Sequence, residues 1–160
     1  MTTVAGLLLA QANVARLRHP WDDPRMAEFV AAFDAVNALA ERSPGFVWRH
    51  RAAGGHATVD DDPLLLINLS VWRTYQSLHD FTYRTRHGHF TRRRREWFDP
   101  VAQPNTVLWW IPPGPFPTPA DALNRLRLLR RYGPQPQAFG LRSRFGPDGR
   151  PEPVRRGPRR

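Results

Sequence analysis

The chain of 160 residues contains no cysteine and no lysine. Without cysteine it has no disulfide framework, thiolate nucleophile, cysteine-ligated zinc or iron–sulfur cluster. The redox compartment stays open. Without lysine, all 24 basic residues are arginine, which reads as GC-rich coding rather than selection for guanidinium chemistry. That weakens a nucleic-acid reading, although a pI near 11.5 normally invites one. Long hydrophobic runs are missing as well. Val4 to Ala12 is apolar but short, lacks a preceding positive region and leads straight into polar positions, so it reads as a strand rather than a signal sequence. No stretch approaches the length of a membrane-spanning helix, and the expected location is the cytoplasm of a bacterium. Also absent are a Gly-rich phosphate cradle, a serine-hydrolase elbow, a carboxylate metal motif and a dinucleotide fingerprint. Nucleotide-driven and hydrolytic chemistry are thereby disfavoured.

What is present suffices for one folded domain. A hydrophobic share of 41% separates the chain from disordered sequences despite a mean hydropathy of -0.56. The polar excess is partly terminal: from Arg142 onward there are seven arginines against Asp148 and Glu152, a balance of +5 out of +10. The expected division is a domain over 1–145 and a disordered Pro/Arg-rich tail over 146–160.

Leu7 to Val14 reads as a first strand. Asp23 caps a helix with Pro24 at its first position, and Met26, Phe29, Val30, Phe33, Val36 and Ala40 form its apolar stripe. Phe46 to Arg51 is a second strand, reached through Ser43-Pro44-Gly45, and a loop with Gly54-Gly55 leads to a third at Leu64 to Trp72. Thr74 caps a second helix, which Gly88 bends or restarts before Phe98. A fourth strand spans Thr106 to Ile111. Thr118-Pro119-Ala120-Asp121 starts a final helix with Leu123, Leu126 and Leu129 as its stripe, closed at Gly133-Pro134, and Phe139 to Arg142 is a short edge strand. The order is that of an α+β, ferredoxin-like βαββαβ unit with an extra C-terminal helix. Its third strand has apolar residues on both faces, Leu64 and Leu66 against Leu65, Ile67, Leu69 and Val71. A homodimer is therefore expected to cover the sheet.

The stretch from Leu64 to Trp97 gathers the candidate chemistry beside this sheet. Alternation puts Asn68 and Ser70 on one face of the third strand and Gln11 and Asn13 on one face of the first. Mid-sheet amides are costly without partners. They form either a structural network or the floor of a small-molecule pocket, walled by Trp48, Trp72, Tyr83 and Trp109, and the pocket is favoured. Arg84 and His87 share a helix face. In the run Arg92 to Arg95, Arg94 falls near Phe90, Trp97 and Phe98, at the edge of the aromatic core. Arg84 and one arginine of the run are candidates to hold a carboxylate or phosphate; ion pairing with acidic residues is the commoner use of such side chains. His87 and His89, two apart on a helix, point nearly opposite ways and do not chelate a metal.

Several of these segments together resemble a known family. Ser43-Pro44-Gly45-Phe46-Val47-Trp48-Arg49, Asn68-Leu69-Ser70-Val71-Trp72, Phe81-Thr82-Tyr83-Arg84 with His87 and Arg92 to Phe98, and Val107-Leu108-Trp109-Trp110 look like the bacterial domain-of-unknown-function family 3291. That family is similar to the dimeric α/β-barrel superfamily, which includes antibiotic-biosynthesis monooxygenases, haem-degrading monooxygenases and haem-binding dehydratases. The resemblance implies paired ferredoxin-like sheets with a site between sheet and helices. It implies a monooxygenase-like or tailoring enzyme acting without a cofactor on a flat aromatic or polyketide-like compound. In that scheme His87 is base or hydrogen-bond partner, Arg84 the anion anchor, and Asn68 and Trp72 the orienting groups. Two alternatives are a haem protein with His87 on iron and arginines on the propionates, and a non-catalytic binding module.

Overall fold

The structure is a computed structural model and describes residues 6–52, 57–59, 61–86 and 93–153. Its elements in chain order are β1 (Leu8–Leu17), α1 (Ala27–Glu41), β2 (Phe46–Arg49), β3 (Ala57–Val59), β4 (Asp62–Trp72), α2 (Tyr75–Arg86), α3 (Arg94–Trp97), β5 (Phe98–Asp99), β6 (Thr106–Ile111) and α4 (Pro119–Tyr132). β1 lies at the centre of one antiparallel sheet. β4 flanks it on one side, with β2 and β3 on the far edge of β4; β5 and β6 flank it on the other. This is the ferredoxin-like arrangement, α+β in class.

Local chemistry sets the element ends. Asp23 accepts from the Arg25 amide at 2.9 Å and starts a single 3-10 turn that leads into α1. Its carboxyl is held far below the ordinary range, first by the Arg25 side chain and then by that amide. Thr118 and Asp121 form a reciprocal capping box at the start of α4, and Gly133, at φ 74°, ends it in a conformation that L side chains rarely adopt.

The sheet has two covered faces. On one, Leu9 and Leu17 of β1, Leu66 and Trp72 of β4 and Leu108 of β6 meet α1, α2 and α3 through Phe29, Phe33, Leu78 and Trp97. On the other, Ala10, Ala12 and Val14 of β1, Ile67, Leu69 and Val71 of β4, and Val107, Trp109 and Ile111 of β6 pack with Ala122, Leu126 and Leu129 of α4. The residues just named are all buried, whereas Leu65 and Trp48 on the same face are half-buried. The helix at the end of the chain therefore covers the middle of this face.

Several details differ from the sequence reading. β3 arises inside what reads as a loop, because Ala57 and Val59 alternate inward against β4. β1 runs on to Leu17, where pairing with β5 continues the ladder, and β2 stops at Arg49. Phe139 makes only a single bridge to Leu108 rather than a strand. The tail boundary at 146 is too early. Phe145 pairs with Pro151, the Gly146 amide donates to the Arg150 carbonyl at 2.8 Å, and Arg144 salt-bridges Glu152 at 3.0 Å. Glycines at 146 and 149 let this turn close where composition alone suggests disorder.

Candidate functional site

Register decides which side chains share a face. β1 and β4 pair with Gln11 opposite Ser70 and Asn13 opposite Asn68, so four polar residues form a patch on the helix-bearing face. Over this patch the helices leave a cavity of about 300 Å³, at the lower end of small-molecule sites. Val36 and Ala40 of α1 border it, as do Phe81, Thr82 and Thr85 of α2.

Half of the polar floor is internally satisfied. Ser70 Oγ accepts from Gln11 Nε2 at 3.0 Å and from Trp72 Nε1 at 2.9 Å. That pair of bonds fixes Trp72, which is fully buried, meets Phe46 edge-on at 5.4 Å and stacks on Phe81 at 5.1 Å. The other half is open: among the described residues neither the Asn13 nor the Asn68 side chain has a hydrogen-bond partner. Each amide offers two donors and an acceptor. The Thr82 and Thr85 hydroxyls donate to carbonyls of their own helix, Thr82 to Leu78 at 2.8 Å, which leaves their oxygens as acceptors.

Two guanidinium groups complete the lining. Arg49 pairs with Ser70 across β2 and β4, and its Nε donates to Glu41 Oε1 at 2.7 Å. Glu41 also binds Arg51. The Arg49 hydrogen bond leads the causes that hold the Glu41 carboxyl below its ordinary range. Arg94 borders the cavity from α3, and among the described residues no acidic side chain lines it. The surroundings are therefore electropositive and rich in neutral hydrogen-bonding groups. Such a lining suits carbonyl, phenolate or enolate oxygens on an aromatic frame.

The expected site residues divide sharply. Asn68, Trp72 and Arg94 line the cavity. Trp48 and Trp109 do not: their partners are Val71 and Ala10, residues of the opposite face. There Trp48 stacks on Phe116 at 4.9 Å, and Trp109 is buried under α4. Tyr83 and Arg84 sit on an exposed side of α2, with Tyr83 stacked on His79. Arg84 does not line this cavity, whereas Arg49 and Arg94 do. His87, His89 and Arg92 lie outside the described residues. Arg49 was the residue to find, since strand alternation puts it, and not Trp48, on the face of Ser70.

Among the described residues no histidine, cysteine, methionine or tyrosine, the groups that ligate haem iron, borders the cavity; His87, the ligand expected for a haem protein, lies outside them. No group of metal-ligating residues occurs among the described residues. None of the described helices is long and apolar enough to cross a membrane.

Residues 8–155 match the family model described as Domain of unknown function (DUF3291). The chain belongs to this family. The match runs from β1 through the turn at Phe145 to Pro151, so the DUF3291 unit includes α4 and not the ferredoxin-like core alone. No curated protein sequence matches the chain. Among solved structures it is similar to PA3566 from Pseudomonas aeruginosa, at 14% identity and a TM-score of 0.45 over 71% of this chain and 99% of that one. It is also similar to SnoaB, a cofactor-independent oxygenase from Streptomyces nogalater, at 14% identity and a TM-score of 0.43 over 71% and 99%. A conserved protein from Methanosarcina mazei Go1 is similar at 14% identity, TM-score 0.44, over 68% and 95%. These likenesses concern the course of the chain, which the strand order already defines.

Proposed function

We propose that this DUF3291 protein binds a flat, oxygen-bearing aromatic or polyketide-like molecule between the sheet and α2, and acts on it as a cofactor-independent monooxygenase. One observation carries the reading: two amides without a hydrogen-bond partner among the described residues, Asn13 and Asn68, face a cavity that these residues border with Arg49 and Arg94 and with no carboxylate. Both amides are half-buried and open onto the cavity, so water meets them when it is empty and the oxygens of a ligand can take the place of that water.

In the proposed reaction an activated ring methylene loses a proton, and the resulting enolate oxygen is held by the amides and guanidinium groups. The carbanion then reduces dioxygen. The methylene becomes a carbonyl, one oxygen atom is retained and the other leaves as water, so four electrons pass from carbon to dioxygen. Trp72 and Phe81 supply apolar walls that keep solvent from the carbanion. The base is assigned to His87, which follows α2 two residues after the cavity-lining Thr85.

The test pairs oxygen uptake with binding, using a hydroxylated anthrone. Conversion to the quinone with one dioxygen consumed per substrate supports the enzyme reading, and His87→Ala is expected to keep binding and lose turnover. Binding without oxygen uptake leaves a carrier or sensor. If the compound and its relatives neither bind nor react, the cavity is not a site for flat oxygenated ligands.

A further inference from the structure

The polar face of β1 does not end at the cavity. The next residue along it is Ala15, whose small side chain borders a second depression of about 720 Å³ between β1, α3 and the segment after β5. Arg94 lines both spaces and joins them. From Asn13 to Ala15 is about 7 Å along a strand.

The charges in this depression are unevenly matched. Arg18 is paired with Asp99 at 3.2 Å. Glu96, the carboxylate nearest in sequence to Arg94 and Arg95, is engaged by Arg93 at 2.7 Å, and Arg93 also binds Glu28. Among the described residues Arg94 and Arg95 therefore have no acidic partner, although both line the same concave surface. Two adjacent unpaired guanidinium groups repel each other, and an anion between them relieves that repulsion while accepting paired donors. Phe98 and Val101 give the depression an apolar side.

We propose that this second depression is an oxyanion subsite, and that the ligand is elongated. Its flat oxygenated end lies on Asn13 and Asn68, and a carboxylate or phosphate on a short arm lies between Arg94 and Arg95. The inference rests on the cavity being the ligand site and narrows its substrate class to acidic, armed aromatics.

The test uses naphthyloxybutanoic acid, the matching naphthyloxypropyl phosphate and the neutral methyl ester of the acid, titrated into the full chain by calorimetry at low and high salt. The ester reports the cavity, and the preference for an anion over the ester reports the subsite. At low salt the carboxylate or the phosphate is expected to bind about tenfold more tightly than the ester, as a charge-assisted contact provides. High salt and Arg95→Gln are each expected to shrink that preference severalfold, and the tighter of the two anions identifies the natural group. An ester that binds as well as both anions overturns the subsite and leaves the cavity intact. If none of the three binds, the cavity reading falls and the subsite with it. An anion preference that survives Arg95→Gln unchanged also overturns the proposal, since Arg95 is exposed and its loss does not unfold the chain.

Discussion

Ser70→Ala should destabilise the protein well beyond the value of one hydroxyl. The Ser70 oxygen accepts two side-chain hydrogen bonds, from Gln11 and from Trp72. Gln11 borders the cavity, so water replaces its lost partner and the cost there is at most about 0.5–1 kcal/mol. Trp72 is fully buried between Phe46 and Phe81, and its indole N–H has no second acceptor within that packing. Leaving it unmet costs roughly 1–3 kcal/mol. The sum is about 1–4 kcal/mol, which for a chain of this length lowers Tm by about 2–16 °C. A double-mutant cycle isolates the cause: with Trp72→Phe already in place, Ser70→Ala should cost less by about 1–2 kcal/mol, because the donor is gone. Urea unfolding of the four proteins measures it. A cost below about 0.5 kcal/mol, or the same cost with and without Trp72→Phe, would refute the account of how Trp72 is fixed.

Other expectations follow from the packing and the charges. Trp109→Ala should cost about 3–5 kcal/mol through the cavity left under α4, whereas Tyr83→Ala on exposed α2 should stay within about 1 kcal/mol in the same urea assay. Truncation after Pro153 should leave Tm unchanged, and truncation after Phe145 should lower it by removing the Glu152 partner of Arg144 and the turn bonds of Gly146; equal melting of the two would return the tail boundary to 146. Glu41 is held below its ordinary pKa by Arg49, so its contribution is complete above the usual carboxylate range and is lost as pH falls through the lowered value. The Tm difference between wild type and Glu41→Gln should therefore be constant near neutrality and close in acid below about pH 4. Because α4 covers the second face of the sheet, light scattering at micromolar concentration should give the 18.4 kDa monomer; twice that mass would show that copies pair through another surface.

Much of the fold was legible because its signals are periodic. The stripe from Met26 to Ala40, the capping box at Thr118 and the alternation in β4 each repeat or pair over several residues, and the structure keeps all three. β3 was not legible, since three residues beside Gly54-Gly55 carry too short an alternation to outweigh the turn residues. The cover given by α4 could not be read either. An apolar stripe tells that a helix is buried, not which sheet face or which copy it lies against.

The site was half legible for a related reason. Asn68, Ser70, Gln11 and Asn13 were recognisable as polar residues on an otherwise apolar pattern, and pairing of β1 with β4 does bring them together. Two of the expected aromatic walls were misplaced by one residue each. Trp48 was chosen where Arg49 faces the cavity, and Trp109 where its neighbour Leu108 shares the face of Gln11. A strand shifts its face with every residue. Large aromatic side chains attract attention as ligand walls, but here they fill the core between the sheet and α4.

The central claim is that Asn13 and Asn68 form a ligand floor, and side-chain amide NMR on asparagine-labelled protein tests it most directly. Titration with a hydroxylated anthrone should shift the two pairs of amide proton signals that disappear in Asn13→Ala and Asn68→Ala, and Asn68→Ala should weaken binding about tenfold, as loss of contacts to a charged oxygen implies. Amide signals that stay fixed while the compound binds elsewhere, or binding that Asn68→Ala leaves unchanged, would contradict it.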